Sequence, residues 1–366
     1  MGLSIFWYLP TGGDTRYVGE VSDFRPPTAA YLRQIATTAE QFGYDGLLIP
    51  TGSNVQDPFI LAANIAAYTS RIKLLLALRT SAVGTPTVFA RQSVTLDDVL
   101  DGRLIFNVVP GSYSAGELAA DGVRLAHDER YELADEFLTL WKRILSGESV
   151  THKGKYFDLE EAKLNFPPVQ KPHPPLYFGG SSDAAHELTA KHIDAYLSWG
   201  EPPAQVAEKI ADVKKRAAKY GREVKFGIRL QVIVRETEEE AWVAANRLIS
   251  HLDDEIIARE EKKFDITDSV GQQRIRSLHN GDRNRLEISP NLWAGIGLVR
   301  RGAGTALVGD PKIIAERLKE YEALGVDTFV LSGYPHLEEA ARFAELVFPL
   351  IGKEAHPRFI NKEAVA

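Results

Sequence analysis

The chain has 366 residues, with 43 Lys and Arg against 50 Asp and Glu, so its formal net charge is −7. This acidic balance supplies no overall positive field to attract nucleic acid or an anionic membrane. The absence of cysteine excludes disulfides, thiolate metal sites and a catalytic thiolate. No basic leader precedes the first apolar run, and no run approaches the roughly 18 apolar residues of a membrane span. We therefore expect a cytoplasmic protein.

Short apolar runs alternate with stretches of helical pattern along the chain. Eight runs predict strands, at residues 3–9, 46–49, 72–78, 104–109, 176–178, 195–197, 226–234 and 328–331. They are rich in Val, Ile, Leu and Phe without strict alternation, which is typical of parallel strands buried on both faces. Most are followed by Gly, Ser or Pro beside an Arg, Trp, Tyr or His, which favours chemistry on one rim of a barrel.

The stretches between these runs predict helices, at residues 31–42, 58–68, 86–100, 129–146, 183–191, 203–220, 238–252, 311–324 and 337–350. Several open with Pro, which suits a first helical turn. The predicted fold is therefore an α/β protein, a (β/α)8 TIM barrel, and we expect one domain over residues 1–366. Two insertions account for its length: 147–175, with a hairpin-like pattern, and 253–304, which is charged and lacks an obvious strand. The second is interpreted as a mobile lid, with a small helical insert as the alternative.

The sequence Gly179-Gly180-Ser181-Ser182 lies between a strand and a helix. Its backbone N–H groups and the helix N-terminus would face an anion such as phosphate. The alternative is a serine cap after a tight turn.

Three arginines are further candidates for anion binding. Arg229 lies within a predicted strand between Ile228 and Leu230, where a buried charge needs a partner. Arg300 and Arg301 could close over the same anion from the long insert. Each arginine taken alone could equally form a structural ion pair. Together they indicate a bidentate grip on a sulfonate, phosphate or carboxylate.

Several other polar and aromatic residues lie at strand ends or helix starts. Tyr334 and His336 follow the last strand, where they could donate or accept protons, and Trp199 follows the sixth. His127 and Tyr131 are four residues apart on one helix face and could frame a flat ring. The alternative for His336 is a role at the start of the following helix, and for Trp199 a rim residue packed over the barrel. For His127 and Tyr131 it is a helix start whose acidic residues complement the helix dipole. Asn107 would point into the barrel mouth or be a satisfied polar residue.

Two common site types find no support in the sequence. The histidines lack ligand-like spacing and no His-Glu-x-x-His motif occurs, so we expect no metal. A Gly-x-Ser-x-Gly nucleophile motif is also absent.

Longer motifs carry a family resemblance over about residues 4–351. They are Phe6-Trp7-Tyr8-Leu9-Pro10-Thr11, Pro50-Thr51-Gly52, His127-Asp128-Glu129-Arg130-Tyr131, Tyr177-Phe178-Gly179-Gly180-Ser181-Ser182, Trp199-Gly200-Glu201-Pro202-Pro203, Phe226-Gly227-Ile228-Arg229-Leu230, Asn291-Leu292-Trp293-Ala294-Gly295 and Ser332-Gly333-Tyr334-Pro335-His336. In these the chain resembles the FMNH2-dependent alkanesulfonate monooxygenases of the bacterial luciferase-like superfamily.

The resemblance implies a two-component enzyme, in which a separate NAD(P)H-dependent reductase supplies reduced FMN. With O2 as cosubstrate, such enzymes cleave the carbon–sulfur bond of a sulfonate and release sulfite and an aldehyde. It also implies a homodimer or homotetramer. The residues that match its substrate and catalytic pocket are Trp199, Arg229, Arg300, Tyr334 and His336, and those that match or adjoin its flavin side are Asn107, His127, Tyr131, Gly180, Ser181 and Ser182.

The chain departs from the family pattern where substrate is chosen. Gly12 replaces a usual His, Val55 a usual Cys, Gln231 a usual His and Pro110 a usual Thr or Ala. The Gly12 change suggests a larger pocket for a bulkier sulfonate, such as sulfoquinovose. The alternatives are an oxidoreductase of the same fold that uses deazaflavin or acts on a sulfone, and a non-catalytic flavin-binding protein.

Overall fold

The computed structural model describes residues 2–19, 22–111, 115–264 and 268–353. The predicted domain over residues 1–366 also includes positions 1, 20–21, 112–114, 265–267 and 354–366, which lie outside the described residues.

Eight parallel strands of the described chain close into a barrel. The strands in chain order are β1 (Ser4–Tyr8), β2 (Gly46–Ile49), β3 (Lys73–Leu78), β4 (Leu104–Val108), β5 (Val150–Lys153), β6 (Asp158–Ala162), β7 (Leu176–Phe178), β8 (Ala195–Trp199), β9 (Lys225–Val234), β10 (Glu287–Ser289), β11 (Leu292–Trp293), β12 (Ala306–Gly309) and β13 (Val326–Ser332). The barrel order is β1-β2-β3-β4-β7-β8-β9-β13, and β13 pairs back with β1. The predicted TIM barrel is confirmed.

Helices surround this barrel and follow its strands. They are α1 (Ala29–Phe42), α2 (Pro58–Ala66), α3 (Pro86–Val99), α4 (Ala115–Ala120), α5 (His127–Leu145), α6 (Asp183–His192), α7 (Pro203–Lys219), α8 (Glu238–Leu248), α9 (Asp254–Phe264), α10 (Val270–His279), α11 (Pro311–Ala323) and α12 (His336–Val347), with 3-10 turns at Gly295–Leu298 and Phe348–Ile351. In α1, Leu32, Ile35 and Ala39 form a buried stripe, and the helix ends at Gly43, whose φ of 86° suits glycine. Among the described helices, none is long and apolar enough to cross a membrane.

The barrel strands bury both of their faces. On β1, Ile5 and Trp7 pack outward against the helices, whereas Phe6 and Tyr8 belong to the cluster inside the barrel. The space beside Phe6 exists because Gly46 on β2 has no side chain, and a Cβ there would overlap the Phe6 ring. The alternation places the Tyr8 ring inside the barrel, at the carboxyl end of β1.

The segment 253–304 differs from its sequence-based description. It contains α9 and α10, as the helical alternative expects, and also β10 and β11, two short strands that were not obvious in the sequence. That the segment is a mobile lid stays a prediction. β11 pairs with β12, which pairs in parallel with the end of β9. β10 and β11 have only three and two residues, and such short strands depend on partners far away in the chain. In the other insertion, β5 and β6 form the expected hairpin.

Candidate active site

A cavity of about 200 Å³ opens at the carboxyl ends of the barrel strands. The residues before and after the ends of β2, β3, β4, β7 and β8 line it, as is usual for the active sites of such barrels. Its lining includes these predicted site residues: Asn107, His127, Tyr131, Gly180, Ser181, Ser182, Trp199 and Arg229. Leu48, Ala77, Phe178 and Leu197 give part of the wall an apolar surface. Barrel closure therefore brings together residues in or next to six strands and two helices.

The turn after β7 contributes one wall of the cavity. Gly179 lies so close to the next strand that a Cβ there would overlap the carbonyl oxygen of Leu197. A Cβ on Gly180 would lie 2.7 Å from Cβ of Ala185. Ser182 caps α6, because its Oγ accepts a hydrogen bond of 3.2 Å from the Ala185 N–H. The cap predicted as the alternative is thus present, while Ser181 and Ser182 also line the cavity.

The first turn of α5 contributes an aromatic pair. The ring centroids of His127 and Tyr131 are 5.0 Å apart, so the predicted one-face arrangement is confirmed. The helix begins at His127, two residues before the predicted start. Burial raises the pKa of Tyr131, although the Ser182 hydroxyl and the charge of Arg130 oppose the shift. Tyr131 is therefore a neutral hydrogen-bonding group at the cavity wall.

Two buried arginines that sequence reasoning did not single out also line the cavity. Arg79 lies 2.9 Å from Glu117 and 2.6 Å from Asp121, and Arg130 lies 2.6 Å from Asp268. In the sequence, Arg79 directly follows the apolar run at residues 72–78, and Arg130 belongs to the motif His127-Asp128-Glu129-Arg130-Tyr131. These positions could have identified both residues. With Arg229 they place three guanidinium groups around one cavity.

Trp199 and Arg229 are neighbours on adjacent strands, β8 and β9. The N-terminal turn of α10 covers this side of the cavity, and a Cβ on its Gly271 would lie 3.2 Å from the Trp199 ring. Arg274 of the same helix makes a salt bridge of 2.7 Å with the buried Glu201, which follows β8. The segment 253–304 thus reaches over the cavity through α10.

The remaining predicted residues, Arg300, Tyr334 and His336, lie in a second group together with Arg229 and with Tyr8, which was not a predicted site residue. We call these five residues the arginine–tyrosine cluster. The guanidinium carbons of Arg229 and Arg300 lie 4.3 and 5.4 Å from the centre of the Tyr8 ring. Arg300 is also 5.5 Å from the Tyr334 ring centre. Arg300, Tyr334 and His336 are not part of the cavity lining, so only Arg229 belongs to both groups.

His336 is almost completely buried at the start of α12. Its Nδ1 lies 2.7 Å from Oδ1 of Asp14, which is also buried. Burial lowers the pKa of His336, outweighing the opposite influence of Asp14, and the charges of Arg300 and Arg229 act in the same direction as burial. At neutral pH the imidazole is thus neutral. Its Nε2 atom is buried and has no hydrogen-bond partner within the described part of the chain.

Of the four residues that depart from the family pattern, only Pro110 lines the cavity. A Cβ on Gly12 would lie 2.8 Å from the carbonyl oxygen of Asn54 and 3.3 Å from Val55, and neither Gly12 nor Val55 lines the cavity. Gly12 therefore does not enlarge this cavity, and the expectation that its replacement of a usual His favours a bulkier sulfonate stays a prediction. Gln231 is buried and bonded to Ser332 at 2.6 Å and to the Ala303 carbonyl. Pro110 does line the cavity.

The described residues contain no group of three or more His, Asp or Glu that could hold a metal ion.

Residues 3–328 match the family model described as luciferase-like monooxygenase. Among solved structures, the chain is similar to riboflavin lyase RcaE, solved with modified FMN and riboflavin, at 21% identity and a TM-score of 0.82 over 97% of this chain and 93% of that one. It is similar to the long-chain alkane monooxygenase LadA at 23% identity and a TM-score of 0.79, over 96% and 91%. For DmoA from Hyphomicrobium sulfonivorans the values are 21% and 0.77, over 96% and 89%. At these identities the likeness shows a shared fold.

Proposed function

Because the chain belongs to the luciferase-like monooxygenase family, we propose that it is a two-component monooxygenase that uses reduced FMN and O2 to cleave the carbon–sulfur bond of an organosulfonate. A separate NAD(P)H-dependent FMN reductase is the proposed partner, and the active form is a homodimer or homotetramer. The single observation that carries the choice of substrate is that Arg229 and Arg300 lie over the same Tyr8 ring, beside a cavity that Arg229 also lines.

The cavity residues suit a flavin mononucleotide. Ser181 and Ser182 lie at the N-terminus of α6, and Arg79 and Arg130 line the same cavity. Hydroxyl and guanidinium groups are hydrogen-bond donors of the kind that a phosphate requires. Because Gly179 has no Cβ, this turn can lie close to β8. The His127–Tyr131 pair and the apolar wall supply flat contacts of the kind that an aromatic ring system needs. On this basis Asn107, His127, Tyr131, Gly180, Ser181 and Ser182 would hold the cofactor.

The arginine–tyrosine cluster suits an anionic substrate. Two guanidinium groups over one ring can bind a sulfonate through paired N–H donors. A neutral sulfone has no negative charge to strengthen these hydrogen bonds. The Tyr334 hydroxyl keeps its proton, since burial raises its pKa, and can donate to a sulfonate oxygen. Trp199, next to Arg229, would separate the substrate from bulk water. These contacts favour a sulfonate over an alkane or a sulfone.

The overall reaction balances for a primary sulfonate. RCH2SO3⁻, O2 and FMNH2 give RCHO, sulfite dianion, FMN, water and one proton. Bound FMNH2 would supply two electrons to O2, and the carbon loses its bond to sulfur and one C–H bond. The protein must therefore hold the sulfonate, exclude water and accept a proton near the reacting carbon. Arg229 and Arg300 serve the first task, α10 and Trp199 the second, and His336 the third.

Sulfite release tests the proposal. The purified chain is supplied with an FMN reductase, NADH, FMN and O2, and is offered sulfonates from methanesulfonate through octanesulfonate to sulfoquinovose. We expect sulfite from at least one substrate and none without the reductase. An Arg91→Gln variant is the control for Arg229→Gln, because Arg91 is an exposed arginine of α3 outside the cavity.

Three negative outcomes would separate the alternatives. Reduced FMN that binds without sulfite release or sulfonate-dependent oxidation would favour a non-catalytic flavin-binding protein. Oxygen consumption with a sulfone but no sulfonate would move the substrate to that class. A bound chromophore with no oxygen consumption would indicate a deazaflavin-dependent enzyme.

A further inference from the structure

Asp14 is placed against His336 by two separate contacts. Its Oδ1 lies 2.7 Å from Nδ1 of His336, and its Oδ2 accepts the backbone N–H of the same residue at 2.8 Å. The hydroxyl of Tyr31 donates a third hydrogen bond, of 2.6 Å, to Oδ2. The side chains of Asp14 and His336 are 0% and 2% exposed, so water does not compete for these bonds. Oδ1 also accepts the backbone N–H of Thr15 at 2.9 Å. The two carboxylate oxygens therefore have different partners, and only Oδ1 faces the imidazole ring.

The local backbone holds Asp14 in this position. Asp14 and Arg25 form an antiparallel bridge, with N–H to carbonyl bonds of 3.0 and 2.8 Å in the two directions. Gly13 precedes it with a φ of 108°, and a Cβ there would overlap the ring of Phe24. The guanidinium of Arg25 in turn forms two hydrogen bonds with Glu338 in the first turn of α12. Asp14 is thus tied to the helix that begins with His336.

From this geometry we propose that Asp14 is a positioning residue, which keeps the His336 proton on Nδ1 so that Nε2 is the proton acceptor of the site. The role of Nε2 in the reaction rests on the proposed function, which requires an acceptor for the proton that leaves the carbon. The assignment of the tautomer rests on the structure alone. Nε2 is buried without a partner among the described residues, which is the state expected of an acceptor whose donor is a ligand.

The other groups around His336 are compatible with this tautomer. The rings of Tyr8 and Tyr334 lie 5.6 and 4.8 Å from the imidazole, centre to centre. Arg229 and Arg300 disfavour a second proton on the ring, Asp14 favours it, and burial disfavours it most. Tyr31 contacts Asp14 rather than the imidazole.

The Asp14→Asn variant should invert the tautomer. Each carboxylate oxygen accepts one backbone N–H, Oδ1 from Thr15 in a partly buried position and Oδ2 from the buried His336, and Oδ2 also accepts the Tyr31 hydroxyl. A buried N–H without an acceptor costs more than a partly exposed one, so the amide oxygen of the variant should keep the place of Oδ2. The amide NH2 then faces Nδ1 and donates to it, which moves the ring proton to Nε2. An acceptor becomes a donor while the shape of the site is preserved. The Asp97→Asn variant is the matched control, since Asp97 is equally buried and bonds to Gln170 away from the cavity.

The first measurement is nitrogen-15 NMR of histidine-labelled enzyme, with His336→Gln used to assign the signal. Wild type should show a protonated Nδ1 and an unprotonated Nε2 at pH 7 to 8, and Asp14→Asn the reverse. The second measurement is sulfite release, where Asp14→Asn should lower kcat about 100-fold or more while the sulfonate KM changes less than threefold. Asp97→Asn should leave kcat within twofold of wild type.

A wild-type His336 that is doubly protonated, or protonated on Nε2, would overturn the proposal even if the variant does not fold. An unchanged kcat in folded Asp14→Asn would overturn it as well. If no sulfonate yields sulfite, the NMR result still decides the tautomer, so failure of the proposed function and failure of the positioning role are distinguished.

Discussion

The guanidinium carbon of Arg229 lies 4.3 Å from the centre of the Tyr8 ring, and the same side chain lines the cavity at the mouth of the barrel. β9 carries Arg229, and β1 carries Tyr8, with β13 between them. The contact therefore reaches past one intervening strand inside the barrel. It joins the cavity proposed for the cofactor to the cluster proposed for the substrate.

Replacement of Arg229 should lower the kcat/KM for a sulfonate. A hydrogen bond to a charged group contributes roughly 1.5–3 kcal/mol, so Arg229→Gln should lower kcat/KM for the best sulfonate about 10- to 100-fold. Arg229→Lys should recover only part of this loss, because a single ammonium cannot form the paired contact. Steady-state sulfite release measures both values. A kcat/KM equal to that of Arg91→Gln would contradict the role.

The turn after β7 should not tolerate a side chain at Gly179. Because a Cβ there overlaps the Leu197 carbonyl oxygen, Gly179→Ala should lower the free energy of unfolding by about 1–3 kcal/mol and weaken FMN binding. In Gly116→Ala, a Cβ in helix α4 meets no atom within 4 Å, so this control should be neutral or slightly stabilising. Urea denaturation and flavin titration would show the difference. Equal effects in the two variants would refute the packing argument.

The ion cluster below α10 should contribute to stability. Glu201 is buried, lies 2.5 Å from Lys209 and is bonded to Arg274. Glu201→Gln leaves the buried Lys209 ammonium without its anion, which typically costs about 3–5 kcal/mol. Glu208→Gln, one residue before Lys209 on an exposed position of α7, should change stability by less than about 0.5 kcal/mol. Chemical denaturation of both variants tests the contrast.

Acid should destabilise the protein through His279. Burial lowers the pKa of this histidine to about 4, and Arg276 adds to the shift. The unfolded chain, with a pKa near 6.5, therefore binds a proton first as the pH falls, and stability is lost between about pH 6.5 and pH 4. Between pH 7.5 and pH 5 the loss from this group should be on the order of 2 kcal/mol.

The comparison of wild type with His279→Gln isolates this contribution from those of other titrating groups. The variant should lose about 2 kcal/mol less of its unfolding free energy than wild type over the same pH interval. Identical pH dependence of the two proteins would mean that His279 is not held neutral by the fold.

Ligands should protect the segment 253–304 from proteolysis. The N-terminal turn of α10 lines the cavity, and Arg274 fastens the helix to Glu201, so occupancy of the cavity adds contacts to this segment. Limited proteolysis should slow when reduced FMN and a sulfonate are both present under anaerobic conditions. An unchanged cleavage rate within 253–304 would remove the lid interpretation.

The alternation of strands and helices was predictable because it depends on local patterns, the apolar runs and the helical spacing of apolar residues. Apolar runs of three to nine residues identified all eight barrel strands, and their ends identified the rim. Trp199 and Arg79 both follow predicted strands, so the same rule places both at the rim. The roles of the candidate residues stay predictions, since position on a rim does not establish chemistry.

Other features depend on contacts between residues far apart in the chain. β10 and β11 are too short to be recognised by period, and they exist because β12 and the end of β9 offer them an edge. The division of the predicted residues into a cavity and an arginine–tyrosine cluster arises in the same way. The periodicity of residue types determines which segments form strands and helices, because it acts within a few residues. Asp14 and His336 are 322 positions apart in the chain, and no local pattern specifies their contact. They meet because barrel closure packs the first and last strands side by side.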